Sequence, residues 1–153
     1  MSQVILLVDD DDVLGQVLSR ILTRQGFNVC RATTAAQALQ AAQECRPRLA
    51  LLDLCLPDGD GVQLARRLRT QDQELALILM TAFPLRLRDK PGSAELFQHV
   101  LTKPLNLQEL RGAVESASAE SAANASPLLR EAETSRTGDA TGASFDPTPS
   151  VIR

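Results

Sequence analysis

The sequence predicts an α/β fold, a doubly wound parallel sheet of five strands with helices on both faces. Three observations carry this prediction. Short, continuous aliphatic runs recur along the chain, as at residues 4–8 (VILLV) and 49–52 (LALL). Runs of that length without alternation suit strands buried on both faces. Helical periodicity fills the gaps between them, and the alternation of the two patterns is that of a sheet built by right-handed crossovers.

The first strand is the run 4–8. Val13, Leu14, Val17, Leu18, Ile21 and Leu22 then recur at helical spacing, and Gly26 stands where a helix would stop. Residues 27–31 make a weaker second strand. Thr34 and Gln37 can form a capping box for an Ala-rich helix ending near Cys45. After the third strand at 49–52, Val62, Leu64, Ala65 and Leu68 mark a third helix, with Arg66, Arg67 and Arg69 as its solvated face. Residues 75–80 form the fourth strand. The fourth helix is the weak place, because Pro91 and Gly92 resist a continuous helix between Pro84 and Gln98. A shortened or displaced helix is expected there, around residues 93–97. Residues 100–102 are a short fifth strand. Asn106 with Glu109 opens the last helix, whose Leu107, Leu110, Val114 and Ala117 line one face.

The chain length of 153 residues suits one domain plus a tail, and an apolar fraction of 44% is enough for a packed core. After Ser118 the composition shifts to Ser, Ala, Thr, Gly and Pro. The expected organisation is a folded domain over 1–118 and a disordered tail over 119–153. A net charge of −3 without a basic patch argues against direct nucleic-acid binding. Cys30, Cys45 and Cys55 lack any metal-ligand spacing and are read as reduced core residues. The start, Met-Ser-Gln and a short apolar run ending at Asp9, is not a secretory signal. No run approaches membrane-spanning length. A soluble, cytoplasmic protein is expected.

The polar residues at the strand ends carry the chemistry. Asp9 and Asp10 follow the first strand, Asp53 closes the third, Thr81 follows the fourth and Lys103 the fifth. With strand order 2-1-3-4-5, all five meet along one edge, where ligands bind in this class of sheet. Three gathered carboxylates repel one another. A hard cation such as Mg²⁺, which accepts carboxylate, water and phosphate oxygens, relieves this. One carboxylate is then a nucleophile toward a phosphoryl donor, and a hydroxyl and an ammonium stabilise the spreading charge. Each residue alone has a plainer reading. Asp9–Asp12 can simply cap a helix, and a single Asp, Thr or Lys at a strand end is usually structural. The argument rests on their conjunction.

Val8-Asp9-Asp10, Leu52-Asp53-Leu54 with Leu56-Pro57-Asp58-Gly59-Asp60-Gly61, Met80-Thr81-Ala82, and Lys103-Pro104 resemble the receiver domains of two-component signalling, over roughly residues 3–118. The resemblance implies a flavodoxin-like fold, the strand order for which the chemotaxis receiver is a standard example. It implies that Asp53 is the phosphoacceptor, Asp10 a direct Mg²⁺ ligand and Asp9 a ligand through water. The backbone carbonyl of Cys55 would complete the metal site. Thr81 is similar to the switch hydroxyl, Lys103 to the ammonium that pairs with the phosphoryl group, and the bond before Pro104 to one that is cis in the family. The implied donor is a sensor histidine kinase or a phosphotransfer protein, and the output is an unknown partner protein. The chain is expected to act as a single-domain regulator, a monomer or weak homodimer, catalysing only its own phosphorylation and dephosphorylation.

Two positions depart from the family pattern. Val100 stands where an aromatic rotamer switch is usual, and Pro91-Gly92 breaks the fourth helix. Cys55 and Phe83, two residues after Asp53 and Thr81, are apolar where polar residues help to position hydrolytic water, so slow self-dephosphorylation is expected. Two other readings compete. One is a pseudo-receiver that docks without being phosphorylated. The other is a haloacid-dehalogenase-type phosphatase, which needs a second Asp where Cys55 stands.

Overall fold

The computed structural model describes residues 3–125. The chain divides into two units, Met1–Ser121 and Ala122–Arg153, and of the second only residues 122–125 are described, as helix. In chain order the elements are β1 (Val4–Val8), α1 (Asp12–Arg24), β2 (Asn28–Ala32), α2 (Ala35–Cys45), β3 (Leu49–Asp53), β4 (Cys55–Leu56), β5 (Gly59–Asp60), α3 (Gly61–Gln71), β6 (Ala76–Thr81), a 3-10 helix (Pro84–Asp89), β7 (His99–Thr102) and α4 (Leu107–Ala125). The last helix thus continues past Ser118; the rest of the tail expected over 119–153 lies outside the described residues.

Five strands pair in parallel in the order β2-β1-β3-β6-β7, while β4 and β5 form a separate antiparallel ribbon. With the ribbon set aside, the order is the expected 2-1-3-4-5. Strand residues alternate between two cores. Leu6, Val8, Leu52, Leu77 and Leu79 pack with Ala38 of α2 and Val62, Leu64, Ala65 and Leu68 of α3. Ile5, Leu7, Leu51, Ile78 and Met80 pack with Leu18 and Leu22 of α1 and Leu110, Val114 and Ala117 of α4. Both faces are covered, which is why the strand sequences read as unbroken aliphatic runs. Each fully buried leucine contributes roughly 2 kcal/mol, so a core with no Trp or Tyr is adequate.

Local signals account for the helix boundaries. Asp11 caps α1 by accepting the Leu14 N–H, and Gly26 after its end has φ +99°, a conformation that favours glycine. Thr34 caps α2 through the Gln37 N–H at 3.1 Å. The Gln37 side chain reaches back to the Thr33 N–H at 2.9 Å, one residue before the usual capping-box partner. Asn106 Oδ1 accepts the N–H groups of Gln108 and Glu109 at the start of α4.

Three expectations need correction. Among the described residues, none between Thr81 and His99 is α-helical; the short helix is 3-10 and lies at Pro84–Asp89, with turns around 91–96. Pro84 supplies the fixed φ of a helix start, whereas Pro91 and Gly92 fall in a turn. Arg66 and Arg69 are not simply solvated. Arg66 Nη2 donates to the Pro91 carbonyl, and Arg69 Nη2 to the Leu96 carbonyl at 3.0 Å. These bonds satisfy backbone oxygens that a continuous helix would have paired internally. Cys30 and Cys45 are joined in a disulfide rather than reduced, because α2 folds back on β2 and brings its last residue to the strand; Cys55 remains free. Val13 and Val17 share the helical period of α1 but lie outside the core, at 73% and 47% exposure. Among the described residues no helix is long and apolar enough to cross a membrane.

Candidate functional site

The parallel register brings the strand ends level. Val8 pairs with Leu52, Asp53 with Met80, and Thr81 with Thr102. Asp9, Asp10, Asp53, Thr81 and Lys103 therefore emerge along the carboxyl edge of four adjacent strands. The Lys103 N–H donates to the Thr81 carbonyl at 2.8 Å, which extends the β6–β7 ladder to the lysine itself. The peptide that follows, Lys103–Pro104, is cis.

Asp9 and Asp53 are buried, while Asp10 is exposed. A carboxylate oxygen from each of the three can be chosen so that all lie within 4.8 Å of one another. Lys103 Nζ lies 2.9 Å from Asp9 Oδ2 and 3.2 Å from Asp53 Oδ2. The remaining oxygens are oriented by backbone donors. Asp9 Oδ1 accepts the Asp11 N–H at 2.9 Å, and Asp53 Oδ1 accepts the Cys55 N–H at 3.4 Å.

Burial, then the neighbouring charge of Asp9, raises the Asp53 pKa, and Lys103 only partly offsets them. Lys103 is held above the ordinary lysine value. Burial opposes this, but the hydrogen bonds and charges of Asp9 and Asp53 outweigh it. One ammonium thus serves two buried carboxylates with a third beside them. That donor set, all hard oxygen and in excess of positive charge, fits a small divalent cation.

Thr81 is buried, and its Oγ1 accepts the Phe83 N–H at 2.8 Å. Cys55 lies in the β4–β5 ribbon, its side chain exposed. Gly61 closes the ribbon against the end of β3. Its N–H donates to the Leu54 carbonyl at 2.7 Å, and a Cβ there would meet the Asp53 carbonyl. Only glycine permits that approach. Val100 is on β7, the edge strand, at 40% exposure. It pairs with the fully buried Leu79, and among the described residues the connection from β6 to β7 contains no α-helix.

Three features at the rim escaped the sequence reading. Asp58 accepts the Ala35 and Ala36 N–H groups at 2.7 and 3.1 Å, which ties the loop after Asp53 to the start of α2. Asp60 caps α3 through the Gln63 N–H at 2.8 Å and pairs with Lys90 at 3.0 Å. An Asp three residues before a Gln was a usable signal for that cap. Arg86 stacks on Phe83, its Cζ 4.4 Å from the ring centroid, and donates to Cys55 Sγ at 3.5 Å. No spacing in the sequence pointed to Arg86.

A family model for the response regulator receiver domain matches residues 5–115. Sporulation initiation phosphotransferase F of Bacillus subtilis is 30% identical over 115 residues, which are 74% of this chain and 92% of that protein. The transcriptional regulatory protein AfsQ1 of Streptomyces coelicolor is 44% identical over 78 residues, 51% of this chain and 34% of the regulator. This chain thus spans only about a third of that longer relative. Among solved structures, the signal receiver domain of an HD domain-containing protein from Pseudomonas fluorescens superposes with TM-score 0.76 at 31% identity, covering 83% of this chain and 94% of the other. The response regulator TrrA of Thermotoga maritima, in complex with Mg²⁺-BeF, gives TM-score 0.69 at 25% identity, covering 75% and 98%.

Proposed function

The chain belongs to the response regulator receiver domain family, and from that premise we propose that it accepts a phosphoryl group on Asp53 in an Mg²⁺-dependent reaction. The observation that carries this reading is the convergence on Asp53 of Asp9, Asp10 and Lys103, with the buried Thr81 hydroxyl on the adjoining strand end. Asp53 Oδ attacks phosphorus as the donor's P–N bond breaks; the departing imidazole nitrogen keeps the electron pair and takes a proton from solvent. Lys103 supplies an ammonium to the transferring oxygens, and Thr81 releases the Phe83 N–H to bond one of them. Mg²⁺, held by Asp9, Asp10, Asp53 and the Cys55 backbone carbonyl, would supply positive charge to the phosphoryl oxygens.

The proposed donor is a phosphohistidine on a sensor kinase or phosphotransfer protein. A protein donor must seat beside the acceptor, and α1 supports this with exposed Val13 and Val17. Leu14, Val17, Pro104 and Leu107 line an apolar recess of about 360 Å³ that Lys103 borders. The output is proposed to be a partner protein, with residues 1–118 as the working unit in the cytoplasm, as a monomer or weak homodimer. Incubation with a small acyl phosphate and Mg²⁺, read by intact mass, tests the reading. Wild type is expected to gain one phosphoryl group, and Asp53→Asn none. An unmodified wild type would instead favour a docking module that is never phosphorylated.

A further inference from the structure

Arg86 touches two side chains, Cys55 and Phe83. The backbone N–H of the first donates to Asp53 Oδ1, and that of the second to Thr81 Oγ1. One guanidinium therefore bridges the two residues whose main chains orient the acceptor and the hydroxyl. The bridge spans the solvent side of the site, since Cys55, Phe83 and Arg86 are all exposed. Arg86 itself is anchored locally, its N–H donating to the Phe83 carbonyl at 3.1 Å in the first turn of the 3-10 helix. Among the described residues it has no carboxylate partner. Its contacts are a thiol and a ring face, both weak acceptors.

We propose that Arg86 is a gating and positioning residue for the phosphoryl group on Asp53, closing the approach of water by tying Cys55 to Phe83. This rests on the proposed phosphorylation of Asp53. Loss of the phosphoryl group requires in-line attack. A water oxygen bonds to phosphorus opposite Asp53, the P–Oδ bond breaks, Asp53 leaves as a carboxylate, and the water's proton passes to the released phosphate or solvent. The attacking water must enter from the side away from Asp53, where the loops carrying Cys55 and Phe83 meet solvent. A flat guanidinium lying on the ring and bonded to the thiol narrows that entrance and holds both loops in place.

The test is phosphoryl lifetime in the full-length chain, followed by intact mass after a small acyl phosphate is removed. Arg86→Ala is expected to gain one phosphoryl group, as wild type does, and to lose it about three- to fivefold faster, the scale of one exposed cation–π contact. Its thermal midpoint should be unchanged. Phe83→Ala should shorten the lifetime similarly, and the double variant should be no faster than Phe83→Ala alone, since the bridge is already broken. Equal lifetimes for wild type and Arg86→Ala, or fully additive effects in the double variant, would overturn the gate while leaving phosphorylation of Asp53 intact. A wild type that gains no phosphoryl group overturns both.

Discussion

Lys103 Nζ lies 2.9 Å from Asp9 Oδ2, and the same ammonium reaches Asp53 Oδ2 at 3.2 Å. Without a metal, this lysine is the main counter-charge for two buried carboxylates. Lys103→Met should therefore destabilise the metal-free protein by about 2 kcal/mol, below the range for a fully buried pair because the lysine is partly exposed. Mg²⁺ should restore much of the loss, so its stabilising effect in urea titrations should be larger for Lys103→Met than for wild type. An equal Mg²⁺ effect in both proteins would mean that the ammonium and the cation do not serve the same carboxylates.

The strand order, the aliphatic cores and the convergence of Asp9, Asp53 and Lys103 were legible in the sequence because each follows from period and register. A strand buried on both faces has to be continuously apolar, and its last residue has to reach the carboxyl edge. The segment between β6 and β7 was legible only as a break. Pro91 and Gly92 exclude a helix, but nothing local specifies that Arg66, Arg69 and Asp60 on or beside α3 will hold the replacement. Val13 and Val17 were placed on the correct helix, yet period alone does not say which part of a wide apolar stripe is covered. Arg86 and Asp58 act between segments 31 and 23 residues apart in sequence, where no periodic signal exists.

Gly61 lies in contact with the end of β3. A methyl group added there meets the Asp53 carbonyl, so the β4–β5 ribbon or the end of β3 must move. Gly61→Ala should cost about 1–3 kcal/mol, the usual range for overpacking. It should also slow phosphorylation from a small acyl phosphate, because the shift falls on Asp53, the proposed acceptor. Denaturant unfolding and the intact-mass time course read the two effects separately. Wild-type values for both would place the glycine's importance elsewhere.

The exposed apolar face of α1 separates protein donors from small ones. Val13→Asp puts a charge into that face at 73% exposure, without disturbing the core. Transfer from a phosphorylated histidine protein should fall about tenfold, as for loss of an interface contact of moderate strength. Phosphorylation by a small acyl phosphate, which needs no such surface, should be unchanged. If both rates fall together, the substitution has acted on the site and not on docking.

Asp58 offers a pH test away from the cluster of acids. Its carboxylate is fully exposed, and the N–H groups of Ala35 and then Ala36 hold its pKa below the ordinary range. A carboxyl whose folded pKa is depressed contributes stability above its unfolded pKa, and that contribution is lost as pH falls through the folded value. Asp58→Ala should therefore lower the thermal midpoint at neutral pH by an amount that shrinks as the solution is acidified below the usual carboxylate pKa. Asp58→Asn keeps an acceptor for one of the two N–H groups but has no charge to lose. Its deficit should be smaller than that of Asp58→Ala at neutral pH and should likewise fade in acid. Midpoints measured across the acid range check the sign: a gap between wild type and Asp58→Ala that widens as pH falls would show that the carboxylate form is not what the α2 N-terminus holds.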